Sequence, residues 1–387
     1  MSRSTDPGHF FQTSVSLSEA ERKAKKSSNN NGIPIKLRSK ILAVATDPDD
    51  TDAIYVAEAA GTVKKLSLEN SKTTLLLTGP TAPLTSLALS TPTPACSSTR
   101  TLFAGCWDKA IYSWQLPYNT RGRTFVGHAD FVKTLLFVPL PGRDVLLSGA
   151  ADGAIFVWDV ASGAKLSELK GHERGVLALT LDPVLGDEGK SVVVWSADSV
   201  REIRGWSVGV EGGDVVAKSL DPQAPIVAHE TSVNALRFDA DGDLWTASSD
   251  KTVKCLSRER GWAEEMSLSH PDFVRDVVVD ERGGFVVTAC RDEEVRVWER
   301  GSGELRHTFS GHFEEVTGLL LLGQLVVSIS IDATVRRWSL APEDLRQARL
   351  DAERAAKGEV KEEDKPKESL MTEEEERELA ELMDESD

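Results

Sequence analysis

Serine, histidine and aspartate recur together along this chain. His128 precedes Ser148 by 20 residues and Asp152 by 24, and Trp158 follows. The order returns as His270, Thr288, Asp292, Trp298 and again as His312, Ser328, Asp332, Trp338. A hydroxyl, an imidazole and a carboxylate are the parts of a nucleophilic hydrolase. The recurrence argues against that chemistry, because an active site needs one set only. Five of the seven histidines (128, 172, 229, 270 and 312) hold the same place in successive stretches; His9 and His307 stand apart. The same residue types suit a structural hydrogen-bonded chain. A partly buried carboxylate must be bonded, and a charge-assisted bond contributes about 1.5–3 kcal/mol. No GxxxxGK[ST], HExxH or GxSxG occurs, and aspartates such as Asp159 and Asp187 lack metal-ligand spacing. The expectation is no catalytic residue, no metal and no cofactor.

The elements that must hold these sets are short strands. "GAADGAIFVWDV" (149–160) reads as a tight turn entering a strand of β-branched and aromatic residues. Similar stretches surround Asp108, Asp250, Asp292 and Asp332. Neighbouring turn aspartates lie 44, 42 and 40 residues apart, and the 98-residue gap from Asp152 to Asp250 is filled by "VVVWSADSVREIRGW" (192–206). Upstream, "AIYVAEAAGTVKKLSL" (53–68) keeps the apolar rhythm with Ala60 in place of the aspartate. Seven units therefore lie between residues 38 and 340. A period of about 40–45 residues with several strands per unit points to propeller blades, each sheet covering its neighbour. In the third unit the strands are expected at 131–138, 144–149, 153–158 and 165–169.

The units open on Gly127-His128, Gly171-His172, His229, His270 or Gly311-His312, and most close on Trp114, Trp158, Trp206, Trp298 or Trp338. This pattern resembles the WD40 repeat over about three quarters of the chain. The resemblance implies an all-β, seven-bladed WD40 propeller spanning 38–340, with the third, sixth and seventh sets above bonded inside their blades. The fifth unit keeps His229, Thr246 and Asp250 but has Leu256 for Trp; in the fourth, Asp198 stands out of step; the second lacks the His; the first lacks the set. In this family the N-terminus usually supplies the last strand of the last blade. "HFFQTSVSL" (9–17) is the better candidate by alternation, and "GIPIKL" (32–37), containing Pro34, is the rival. The N-terminal segment is thus 1–37, with a polar surface loop over 18–32.

Charge sharpens the functional reading. The net charge is −17: residues 1–40 carry +5, residues 341–387 carry −10, and the body between carries −12. An acidic body makes nucleic acid an improbable ligand and protein partners, including basic ones, more plausible. Four dispersed cysteines, no membrane-length apolar run and no secretory h-region fit a reducing compartment, cytoplasmic and/or nuclear. "ERKAKK" (21–26) reads as a solvated loop or a nuclear import signal. The resemblance implies that Lys40, Trp107, Phe131, Phe273, Arg291, Phe313 and Glu315 lie on the top face, where exposed aromatics and Arg are the usual interface anchors. The tail, 341–387, is acidic and mostly disordered, with a helix over 343–357. A short helix near 373–383 is capped by Thr372 and Glu375 and presents Leu379, Leu382 and Met383. The favoured function is a non-enzymatic scaffold acting through the top face, with no small-molecule substrate and no membrane. Two alternatives are a substrate receptor of a cullin-type ubiquitin ligase and a chaperone or reader of basic nuclear proteins such as histones or ribosomal proteins. The first of these lacks Trp-Asp-x-Arg: Asp159 is followed by Val160-Ala161.

Overall fold

The structure, a computed structural model, describes residues 21–24, 26–91, 99–184, 191–220 and 225–356. The chain divides into two compact units, 1–340 and 341–387. The first contains seven four-stranded antiparallel sheets. Blades 1 to 6 span 41–77, 84–126, 132–169, 176–219, 233–269 and 274–310; blade 7 spans 316–339 and takes one strand from 35–36. Strands are lettered a to d outward from the axis. In blade 3 they are Val132–Leu140, Arg143–Ala150, Ile155–Asp159 and Lys165–Leu169, within two residues of the expectation.

Strand b of each blade is buried on both faces, because the neighbouring blades cover it. Between blades 3 and 4, Val138, Leu147, Val157 and Leu169 pack with Val176, Val194, Trp206 and Val208. These β-branched and aromatic side chains suit a pleated, covered surface. The b–c turns place the residue after the acidic position at positive φ: Gly61, Lys109, Gly153, Lys251, Glu293 and Ala333. Only two of these six are glycine, so the aspartate must hold the turn by other means. It does so by accepting the amide two residues on: Asp108 from Ala110 at 3.0 Å, Asp250 from Thr252 at 3.0 Å and Asp332 from Thr334 at 2.7 Å.

The closing strand corrects the sequence reading. Ile35–Lys36 pairs with Thr334–Ser339, Ile35 opposite Val335 and Lys36 opposite Thr334. Pro34 is tolerated because this strand is the outer edge of its sheet and needs no second ladder. The stretch 9–17 lies outside the described residues. The polar segment before the strand is a strap rather than a free loop. Asn29 and Asn31 donate to the carbonyls of Gly311 and Ser310 at 3.1 and 2.9 Å, and the wholly buried Arg336 donates to Asn29 Oδ1 at 2.8 Å.

The basic cluster is bound as well. Residues 21–24 and 26–27 are helical. Arg22 grips Glu293 through two bonds of 2.5 and 2.6 Å, Lys26 reaches Glu293 and Glu294 at 3.0 and 2.8 Å, and Lys23 meets Glu314 at 2.6 Å. Burial raises the Glu293 carboxyl, but Arg22 and Lys26 outweigh it and hold the group below its usual range. The double substitution Arg22→Gln/Lys26→Gln is expected to destabilise the protein by about 2 kcal/mol. That is less than a fully buried pair would lose, because Arg22 is half exposed. Adding Glu293→Gln should return most of the loss in urea denaturation; an unchanged midpoint in the double variant would show that the strap is not docked.

The second unit contains one described helix, Pro342–Ala356, with Glu343 and Asp344 in the first turn and Arg354 in the last, as the helix dipole favours. The proposed anchors Leu379, Leu382 and Met383 lie outside the described residues.

Candidate functional site

The recurring polar sets come first, since among the described residues they resemble catalytic machinery. In blade 3, Trp158 Nε1–H donates to Ser148 Oγ at 2.8 Å, Ser148 donates to His128 Nε2 at 2.7 Å, and His128 Nδ1–H donates to Asp152 at 3.1 Å. This order follows from chemistry: indole only donates and carboxylate only accepts, which fixes the neutral Nδ1–H tautomer. Blade 7 repeats it through Trp338, Ser328, His312 and Asp332 at 2.8, 2.7 and 2.9 Å. A serine donating to histidine while receiving from tryptophan, with both His128 and Ser148 buried, is a strut and not an accessible nucleophile.

Two blades depart from this scheme. In blade 4, Asp198 is out of step by two residues, opposite Val176 where blade 3 has Ala150 opposite Val132, yet His172 still bridges Ser196 at 2.6 Å and Asp198 at 3.1 Å, and Trp206 completes the chain at 2.7 Å. The longer turn is absorbed by Asp198 Oδ1, which accepts the amides of Val200, Arg201 and Glu202. Burial opposes its charge, yet His172 and these amides hold Asp198 at about 2. In blade 6 the set is broken. His270 still meets Thr288 at 2.8 Å, and Trp298 meets Thr288 at 3.0 Å, but His270 Nδ1 turns to the carbonyl of Leu268 at 3.1 Å. Asp292 instead takes a two-pronged ion pair from Arg296, at 3.1 and 2.5 Å. Blade 5 keeps His229 on Thr246 and Asp250, with Thr252 also on Asp250 at 2.6 Å. In blade 1, where Ala60 holds the aspartate position, Glu58 two residues earlier accepts from Thr62 and Lys64.

These groups set the acid limit. Burial, with Arg296 nearby, pushes His270 down to about 4, and burial also lowers His128 and His312. A histidine kept neutral in the fold binds fewer protons than in the unfolded chain once pH falls below about 6.5. Stability is therefore full above that pH and declines toward the folded value; for His270 alone the loss by pH 4 is about 3 kcal/mol. The depressed aspartates act in the same direction below about pH 4. Denaturant midpoints should fall steadily from pH 7 to pH 4.5, and a rise over that range would contradict the assignment.

Among the described residues two groups have metal-ligand types, His172, Asp198, Glu202 and Asp239, Asp243, Cys255. In both, the carboxylates are already bonded within the protein. His172 presents a proton to Asp198, and Asp239 accepts from Trp245 and Arg300 at 2.9 Å each and from the amides of Asp241 and Asp243. Cys106, Cys255 and Cys290 are buried, and burial pushes their thiols up to about 11, 12 and 12, so they are not nucleophiles.

The two top-face series join in every blade. The residue at the start of strand a accepts the amide of the residue beside the b–c turn: Lys40 from Ala59, Pro83 from Trp107, Phe131 from Ala151, Gly175 from Ser199, Ser232 from Ser249, Phe273 from Arg291 and Glu315 from Ile331. These bonds fix seven rigid corners around the axis. Trp107 and Phe131, on adjacent corners, stack at 5.1 Å and 17°, and they are 40% and 38% exposed. Lys133 Nζ lies over both rings at 5.6 and 5.8 Å. Across the axis Arg291 covers the half-buried Phe273 at 5.2 Å, and Glu315 is taken by Arg275. Lys40 is exposed; Phe313 is half-buried, and its amide donates to Asp332.

Sequence reasoning missed Lys133. It is the second residue of strand a, and its counterparts line the axial cavity of about 210 Å³. In blades 2, 5 and 7 this position ties adjacent blades: Thr85 donates to the Val132 carbonyl, Asn234 to Val274 and Thr317 to Ile41. Blades 1 and 4 have Leu42 and Leu177, and blades 3 and 6 have Lys133 and Arg275. Sequence reasoning also missed the opposite face. Asp47, Asp182 and Asp239, each just past strand a, accept from Tyr55, Trp195 and Trp245 at 3.2, 2.8 and 2.9 Å. Arg258 and Arg300 then cross the blade seams to Asp182 and Asp239 at 2.7 and 2.9 Å. Their shared place, directly after the apolar run of strand a, was the available signal.

Comparison with known proteins agrees with this geometry. Residues 119–159, 221–256 and 263–299 match the family described as WD domain, G-beta repeat. An uncharacterised WD repeat-containing protein of Schizosaccharomyces pombe is 34% identical over 87% of this chain and 90% of its own length. Transducin beta-like protein 3 of Bos taurus is 28% identical over 73% of this chain, and a ribosome biogenesis protein WDR12 homolog of Drosophila yakuba is 26% identical over 56%. Those two matches take in only 34% and 53% of the respective proteins. The crystal structure of the computationally designed Ika8 protein superposes with a TM-score of 0.56, at 25% identity, over 78% of this chain and 84% of its own. With seven four-stranded blades, the bonded His–Ser/Thr–Asp–Trp sets inside them and a relative matched along nearly its whole length, the chain belongs to the WD-repeat (WD40) family.

Proposed function

We propose that this protein is a non-enzymatic scaffold that binds other proteins through the top face of its propeller, centred on Trp107 and Phe131. The observation that carries this reading is the stacked, solvent-exposed pair on a rigid corner, while every repeat histidine is committed to the interior. Exposed aromatic anchors on a preorganised backbone gain affinity because little conformational freedom is lost on binding. Lys40, Arg291, Phe273, Phe313 and Glu315 form the surrounding rim. Lysine footprinting by acetylation tests the assignment. A bound partner is expected to protect Lys40, Lys109 and Lys133 and to leave Lys72 and Lys218 reactive; the reverse pattern would move the interface off the top face.

A second reading, service in the assembly of basic nuclear particles, is favoured by the likeness to the Drosophila ribosome biogenesis protein. It would place the chain in the nucleus and is separated from the first by the identity of the captured partners.

A further inference from the structure

We propose that the open half of the top face takes an acidic segment of a protein partner, with an apolar side chain on the Trp107–Phe131 pair and one carboxylate on Lys133. The proposal rests on the top-face reading above and specifies its chemistry.

The face is electrostatically divided. Its acidic half, Glu293, Glu294 and Glu314 on blades 6 and 7, is neutralised by the chain's own Arg22, Lys23 and Lys26. A basic partner would have to displace that helix. The other half is open, and its central cation lacks an anion. Lys133 is half-buried, and among the described residues no carboxylate lies within 4.0 Å of Nζ; its neighbours are two ring faces. Arg275, the other cation at this level of the axis, is already engaged by Glu315. Among the described residues Lys133 also makes no hydrogen bond between blades, unlike Thr85, Asn234 and Thr317 at the same position. Its ammonium is held only by the two ring faces, with no carboxylate beside it.

Covering the aromatic pair strips Lys133 of its remaining water. An apolar partner would leave that charge uncompensated, which is strongly unfavourable, whereas a carboxylate placed there compensates it in a low-dielectric setting. A single carboxylate fits better than a polyanion. Glu173 is exposed nearby and Asp130 is half-buried beside Phe131, and the protein as a whole carries −17, so a nucleic acid strand would meet repulsion along most of its length. Exposed Lys109 lies two residues from Trp107, and exposed Arg174 lies just before Gly175 of the next corner; both suit a short acidic peptide.

The test uses the full chain and a display library of random 12-residue peptides. Enriched sequences are expected to carry Asp or Glu within three positions of Trp, Phe or Leu. The best synthetic peptide, read by fluorescence anisotropy, should lose about tenfold in affinity when its acid becomes the amide and a similar factor on Lys133→Met, while Lys133→Arg retains binding. Lys133→Glu should select peptides with Lys or Arg in the same place. Neutral or basic peptides that still need Trp107 and Phe131 would overturn the carboxylate assignment and leave the face intact. Peptides indifferent to Trp107→Ala/Phe131→Ala, or no enrichment over that variant, would overturn both. A 20-nucleotide single-stranded RNA that binds more tightly and depends on Lys133 would replace the peptide assignment.

Discussion

Asp332→Ala should lower the free energy of unfolding by about 4 kcal/mol, the largest loss expected from any turn aspartate. Its side chain is fully buried and accepts from His312 Nδ1 at 2.9 Å, from the amides of Phe313 and Thr334 at 3.2 and 2.7 Å, and from Thr334 Oγ1 at 2.7 Å. Burial raises its carboxyl, and the bonds from His312 and Thr334 more than offset this. Removal strands all of these donors in the blade that closes the ring. Asp152→Ala should lose about half as much, because that carboxylate is partly exposed and water can replace its bonds. Urea denaturation of the two variants checks the order, and a reversed ranking would remove the closing blade from its special place.

Asp292→Ala is expected to lose about 3 kcal/mol for a different reason. The stranded group is not His270 but the guanidinium of Arg296, which is almost wholly buried. Adding Arg296→Met should therefore restore most of the stability, as replacement of both members of a buried pair by apolar groups often does. The titration of His270, followed by NMR, should move only through the loss of neighbouring charge. If the second substitution deepened the loss, the His270–Asp292 bond suggested by the repeat would be the better description.

That contrast shows where the sequence was informative. Seven blades, their strands and most polar sets were legible because each unit repeats one hydrogen-bonding scheme, and the repetition averages out local ambiguity. The exceptions lie where a neighbouring side chain competes. In blade 6, Arg296 outbids His270 for Asp292, since a guanidinium satisfies both carboxylate oxygens at once. The strand-c position that supplies Arg296 supplies Lys64, Arg204, Lys254 and Arg336 in other blades, and Phe156, stacked on His128 at 4.2 Å, in blade 3. Long-range pairing hid the rest. Ile35–Lys36 is too short to show alternation, and the basic strap finds its partners some 270 residues away. The top-face positions could be indexed from the repeat, but the meeting of Trp107, Phe131 and Lys133 needed the angle between two blades.

The double substitution Trp107→Ala/Phe131→Ala should weaken partner binding at least about a hundredfold, with little change in stability, because buried aromatic anchors dominate interfaces and these two are exposed in the free protein. Removing one ring of a stacked pair also unseats the other, so the single variants should each account for most of the loss. The most direct test of the central claim is quantitative affinity capture from the native cell, wild type beside this double variant, after matched melting curves establish that both are folded. Loss of a stoichiometric set of proteins from the variant is the predicted result. The same set recovered at the same level with both baits would contradict the account and show that partners bind elsewhere on the propeller.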